Sequence, residues 1–105
     1  MDYIVTAVDE TWGDRDVLTS PKRFDNYADM KGIICHTVSV MVRDLLTYTD
    51  QVRVSTITDV PKARFGVVVE WCPDGRLADP NDEYDMSPGV GLQKAVVIQG
   101  KRDDL

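Results

Sequence analysis

The chain has 105 residues, of which 43% are hydrophobic and 29% charged. That is enough for one domain with one core, and not for separate catalytic and cofactor domains. Eighteen acidic against twelve basic residues leave a net charge of −6, which excludes a general nucleic-acid binder, because phosphate contacts need clustered Lys and Arg.

The sequence carries no secretory leader at Met1-Asp2-Tyr3-Ile4 and no apolar run long enough to span a bilayer, so a cytoplasmic protein without membrane contact is expected. Cys35 and Cys72 allow one disulfide at most, and reduced thiols are the default in that compartment.

In chain order, residues 3–8 are β-branched and aromatic and predict a strand. Residues 9–20 are polar and acidic and predict a loop. Ser20-Pro21 predicts a helix start, a hydroxyl cap followed by proline at the first helical position. From there the pattern is helical. Tyr27, Ile34, Met41 and Tyr48 recur every seven residues, and Met30, Val38 and Leu45 fall between them. Cys35, Val42 and Leu46 widen the stripe to roughly 160°, against the ~100° that a minimal surface helix needs. This flank is surplus to one core, and it offers a surface for a homodimer through the helix. An interior glycine, Gly32, leaves open the alternative of two helices, about 22–31 and 33–49, in place of one long helix.

Residues 51–58 alternate as a half-buried strand, Asp59-Val60-Pro61-Lys62 predicts a turn, and residues 63–72 place Phe65, Val67, Val69 and Trp71 on one face. The two runs predict a hairpin. Residues 92–99 form the last strand. Its Ala95-Val96-Val97-Ile98 run is apolar on both faces and belongs inside the sheet. The expected fold is a single α+β domain over 1–105: a four-stranded, mainly antiparallel sheet in the chain order β-α-β-β-β, with one long helix on one face.

The charge is concentrated. Residues 9–16 carry a local −3 and residues 73–91 a local −4, leaving the remaining residues at +1. Acidic loops are often no more than solvated surface. Here aromatic rings lie among the carboxylates: Trp12 in the first loop, Tyr84 in the second, and Trp71 just before it, though in phase with Phe65 and so assigned to the core. Exposed Trp and Tyr anchor interfaces, and neighbouring carboxylates steer a basic partner toward them. The candidate partner-binding residues are therefore Trp12, Asp14, Asp16, Asp79, Asp82, Glu83, Tyr84 and Asp85, facing the basic surface of another protein. So motif-poor an acidic domain suits an accessory protein of a phage or mobile element. If the 9–20 connection returns along the sheet, the helix runs parallel to the first strand and both loops fall at one end; if it turns tightly, they fall at opposite ends, and the sequence leaves both open.

No motif names a reaction, and no catalytic, cofactor or metal residue is assigned. Residues 79–85 alternate oxygen ligands but place Tyr84 where a calcium loop needs glycine, and Val90 where it needs glutamate. Gly89-Val90-Gly91 lacks both the third glycine of a dinucleotide fingerprint and the Lys of a phosphate loop, and reads as a flexible approach to the last strand. His36 is the sole histidine, and on a helix its side chain diverges from that of Cys35 by about 100°. A pocket between helix and sheet, closed by the 73–91 loop, is the alternative basis for a function, as a small-molecule binder or enzyme.

Overall fold

The computed structural model describes residues 2–11, 16–18, 21–59, 63–79, 81, 89–91 and 93–103. Three long runs predicted as strands are strands: β1 (Tyr3–Asp9), β4 (Val52–Asp59) and β5 (Arg64–Trp71). The last strand, β6, is Lys94–Arg102, three residues longer at its C-terminal end than the pattern indicated. Two short strands precede the helix, β2 (Asp16–Val17) and β3 (Lys22–Phe24), and the helix itself is α1 (Tyr27–Leu45). The fold is α+β; the described residues form one helix and a six-stranded sheet whose strand pairings are all antiparallel.

The sheet order is β2-β1-β6-β5-β4, with β3 on the same outer edge of β1 as β2. The expectation of four strands in the order β-α-β-β-β is corrected in the connection before the helix. Residues 16–17 pair with Asp9 and Val8, and residues 22–24 pair with Val5 to Tyr3. Pro21 therefore leads into a strand, and the helix starts six residues later than Ser20-Pro21 implied. Its cap is Asn26, whose side-chain oxygen accepts from the Asp29 backbone N–H at 2.8 Å while its Nδ2 donates to the Asp29 carboxylate at 3.0 Å. An extended Asn followed three residues later by a side chain that bonds back fixes a helix end more firmly than a proline alone.

The heptad stripe falls where the period put it. Met30 and Ile34 are fully buried, Val38 and Leu45 nearly so, and Tyr27 and Met41 pack at the margin. α1 is continuous through Gly32, where an added Cβ would meet open space, so the alternative of two helices is not adopted. Tyr48 lies beyond the helix end and is exposed, so the stripe ends one heptad early. The helix lies on Phe65, Val67 and Val69 of β5 and on Val96 and Ile98 of β6. Close approach to β6 depends on Gly100, where a Cβ would overlap the Met30 sulfur. The Tyr3 and Tyr27 rings meet edge-on with centroids 6.1 Å apart, joining the start of α1 to the start of β1.

β6 is central, as its apolar run implied. Val96 and Ile98 enter the core under α1, while Val97 points to the opposite face, where it pairs with the equally buried Val8. Opposite charges tie the far end of the sheet: Arg23 of β3 bonds Asp103 and Asp2, and the Asp103 contact stabilises the guanidinium charge further.

Candidate functional site

Because β2 and β3 return along β1, α1 starts beside Tyr3 and runs parallel to β1. Two connections then leave the sheet from the same end. One follows Asp9 at the end of β1; the other joins Trp71 at the end of β5 to Lys94 at the start of β6.

Their bases are joined by hydrogen bonds. The Glu10 N–H donates to the Ala95 carbonyl at 3.0 Å, and the Ala95 N–H donates to the Thr11 hydroxyl at 3.2 Å. The Thr11 N–H caps the Asp9 carboxylate at 2.8 Å. That carboxylate titrates below the ordinary range, chiefly through the hydrogen bond donated by the Thr11 hydroxyl, with help from the Thr11 N–H and the Lys94 charge. Asp9 stands directly opposite Asp16 in the β1–β2 register, a like-charged cross-strand pair that costs stability.

The longer connection is laced down at both of its described ends. The Gln93 side chain accepts from the Ala78 N–H at 3.2 Å and donates to the carbonyls of Arg76 (3.1 Å) and Gly91 (2.8 Å). Gln51 accepts from the Leu77 N–H at 3.0 Å. Arg53 forms a two-pronged pair with Glu70 at 3.2 and 3.1 Å and reaches the Ala78 carbonyl at 3.0 Å. The backbones of residues 74–76 and 89–91 cross closely. The Arg76 N–H donates to the Gly89 carbonyl at 2.7 Å, and a Cβ on Gly91 would overlap the Asp74 carbonyl. Gly89-Val90-Gly91 is thus not a loose approach to β6, as its glycines suggested. Gly91 is there because the Asp74 backbone occupies the space of a side chain.

Of the predicted partner-binding residues, Asp16 and Asp79 are described, and both are exposed at this end of the sheet. Asp79 caps the Asn81 N–H at 2.9 Å. Trp12, Asp14, Asp82, Glu83, Tyr84 and Asp85 lie outside the described residues. Trp71 packs against the core, as its phase with Phe65 indicated. Thr49, whose hydroxyl donates to the Cys72 carbonyl at 2.8 Å, and Gln51, Arg53 and Gln93, which lace the longer connection, were not predicted. Polar residues beside strand ends carry no periodic signal, although glutamines at the starts of two strands are a composition cue.

Both cysteines are free, Cys35 exposed and Cys72 buried with its thiol donating to the Asp74 carbonyl at 2.8 Å. Among the described residues no cluster of three or more His, Cys, Asp or Glu is arranged to hold a metal ion. Nor, among the described residues, is any helix long and apolar enough to cross a membrane. The layer between helix and sheet is filled by Met30, Ile34, Val69, Val96 and Ile98. A groove of about 760 Å³ lies instead along α1, lined by His36, Thr37, Val40, Met41, Arg43, Asp44 and Thr47. Comparison with protein-family models, with curated proteins and with solved structures finds no match.

Proposed function

We propose that this chain is a small acidic protein-binding module, an inhibitor or adaptor that occupies a basic, nucleic-acid-binding surface of a partner protein. One observation carries the reading: the two connections that hold most of the acidity leave the sheet from one end, and their bases are hydrogen-bonded through Glu10, Thr11 and Ala95. A shared end lets both sets of carboxylates act on one partner, and local concentration of one sign of charge speeds encounter with an oppositely charged surface. The opposed Asp9 and Asp16 add support, because a like-charged pair is a stability cost that a merely structural sheet end has no reason to keep.

The test is capture of a partner from host lysate on immobilised protein, repeated with Asp79, Asp82, Glu83 and Asp85 changed to Asn or Gln. The expected result is a captured basic protein that is lost on neutralisation and released as salt rises. A partner held equally well by the neutralised protein and at high ionic strength overturns the reading. The alternative, a small-molecule binder or enzyme with a pocket between helix and sheet, has less support, since the described core fills that layer.

A further inference from the structure

We infer that the free edge of β4 is a self-association site, at which a second copy of this chain adds its own β4 antiparallel to form one continuous sheet. This edge shares Arg53 with the base of the acidic connection, but the inference does not rest on the function proposed for that end.

The two edges of the sheet are treated differently. β1 is covered by β2 and β3, whereas β4 has β5 on one side and, among the described residues, no strand on the other. β4 runs in unbroken register from Val52 opposite Trp71 to Asp59 opposite Arg64, without a bulge. It holds no Pro and no Lys, and its charges are confined to Arg53 and Asp59 near its two ends. The direction of its backbone groups follows from one bond. The Cys72 N–H donates to the Gln51 carbonyl at 3.0 Å, so Gln51 and Cys72 are a hydrogen-bonded pair. Pairs alternate along an antiparallel ladder, so Arg53, Ser55, Ile57 and Asp59 bond to β5. Val52, Val54, Thr56 and Thr58 therefore aim their N–H and C=O groups at the open edge.

Charge selects the occupant and the register. About a two-fold axis perpendicular to the sheet at Thr56, Thr56 faces Thr56 of the second copy, Val54 faces Thr58, and Arg53 faces Asp59. Both ends of the strand then carry an opposite-charge pair at close spacing, and about six main-chain hydrogen bonds form between outward-pointing groups. Shifting the axis by one residue either sets Arg53 opposite Ile57 or carries it past Asp59. Arg53 already holds Glu70 and the Ala78 carbonyl, and two of the five guanidinium donors are left for a second carboxylate.

The α1 side of the same edge carries exposed apolar residues beside Thr56, Thr58 and Lys31. Lys31 Nζ lies 5.2 Å above the Phe65 ring, so this flank of α1 lies over β5, the strand next to β4. Val42 and Cys35 follow Lys31 within about 40° around the helix, and Leu46 within about 60°. Val54 is 47% exposed and Leu46 56% exposed. The surplus apolar flank of the helix therefore overlooks the open strand, and a second β4 with its own helix on the same side would bring these residues to face their copies.

Sedimentation velocity from low micromolar to millimolar protein tests this. The wild type is expected to pass from monomer to dimer as concentration rises. Thr56→Pro removes an N–H that points away from β5, so the β4–β5 ladder and the circular dichroism spectrum should persist while the dimer is lost. Asp59→Lys should weaken the dimer about tenfold or more by placing two cations opposite each other. A wild type that stays monomeric throughout, or a dimer indifferent to both substitutions, overturns the inference. So does a strand from another protein seated on β4 in place of the second copy.

Discussion

Two glycines show opposite physics. Gly32 sits on the outer side of α1 with no atom within 4 Å of where a Cβ would stand. Gly32→Ala should raise unfolding free energy by about 1 kcal/mol, since alanine restricts the unfolded chain and favours the helix. Gly91→Ala faces the Asp74 carbonyl and the Cys72 sulfur instead. It should cost at least ~2 kcal/mol, or spread the backbone crossing between residues 74–76 and 89–91, because neither neighbour is a flexible side-chain tip. Urea denaturation of both variants measures the contrast. Asp9 adds a pH-dependent case. Its folded pKa lies below its unfolded value, so its contribution is complete above the unfolded pKa of about 3.9 and fades as pH falls through the folded value. Thr11→Val removes the hydroxyl that causes most of the shift. Its stability should fall below that of the wild type at neutral pH, and the difference should shrink toward the acid limit in paired denaturation curves.

At the scale of elements, the start of α1 is the clearest correction. Asn26→Ala should destabilise the protein by about 1 kcal/mol, because the Asp29 N–H loses its acceptor and the amide no longer holds the Asp29 carboxylate. A thermal or urea midpoint unchanged by this substitution would remove Asn26 as the cap. The elements with enough residues to show a period were legible: alternation marked β4 and β5, a doubly apolar run marked β6, and the heptad marked α1. β2 and β3 hold two and three residues, too few for any period. Their pairing is dictated by the open edge of β1, a partner distant in sequence. Pro21 then misled, since proline favours a helix start and a strand entry alike. The candidate site was legible only as concentrated charge. Its geometry hung on whether residues 9–20 return along β1, and the polar lacing by Gln51, Arg53 and Gln93 depends on tertiary proximity that no local pattern records.

At the scale of the molecule, burial and edge position predict a hierarchy of backbone opening. β6 has strands on both sides, and its Val96, Val97 and Ile98 are all buried. Its bonded amides can exchange with solvent only when the neighbouring strands separate, so they should be the slowest, approaching the global unfolding free energy. β2 and β3 are short and peripheral and should exchange far faster. β4 should show an odd–even split. The N–H groups of Arg53, Ser55, Ile57 and Asp59 bond into the β5 ladder and should be protected, while those of Val52, Val54, Thr56 and Thr58 face the open edge and should exchange near the rate of an unfolded chain. Amide hydrogen exchange followed by NMR at low protein concentration reads this pattern residue by residue. Repeating it at high concentration separates two properties of the same strand. Self-association through β4 should slow the even set selectively and leave β2 and β3 unchanged, because only the even groups gain partners. A uniform slowing across all the strands would indicate an association surface elsewhere, and an even set already protected in the dilute monomer would contradict the free edge itself.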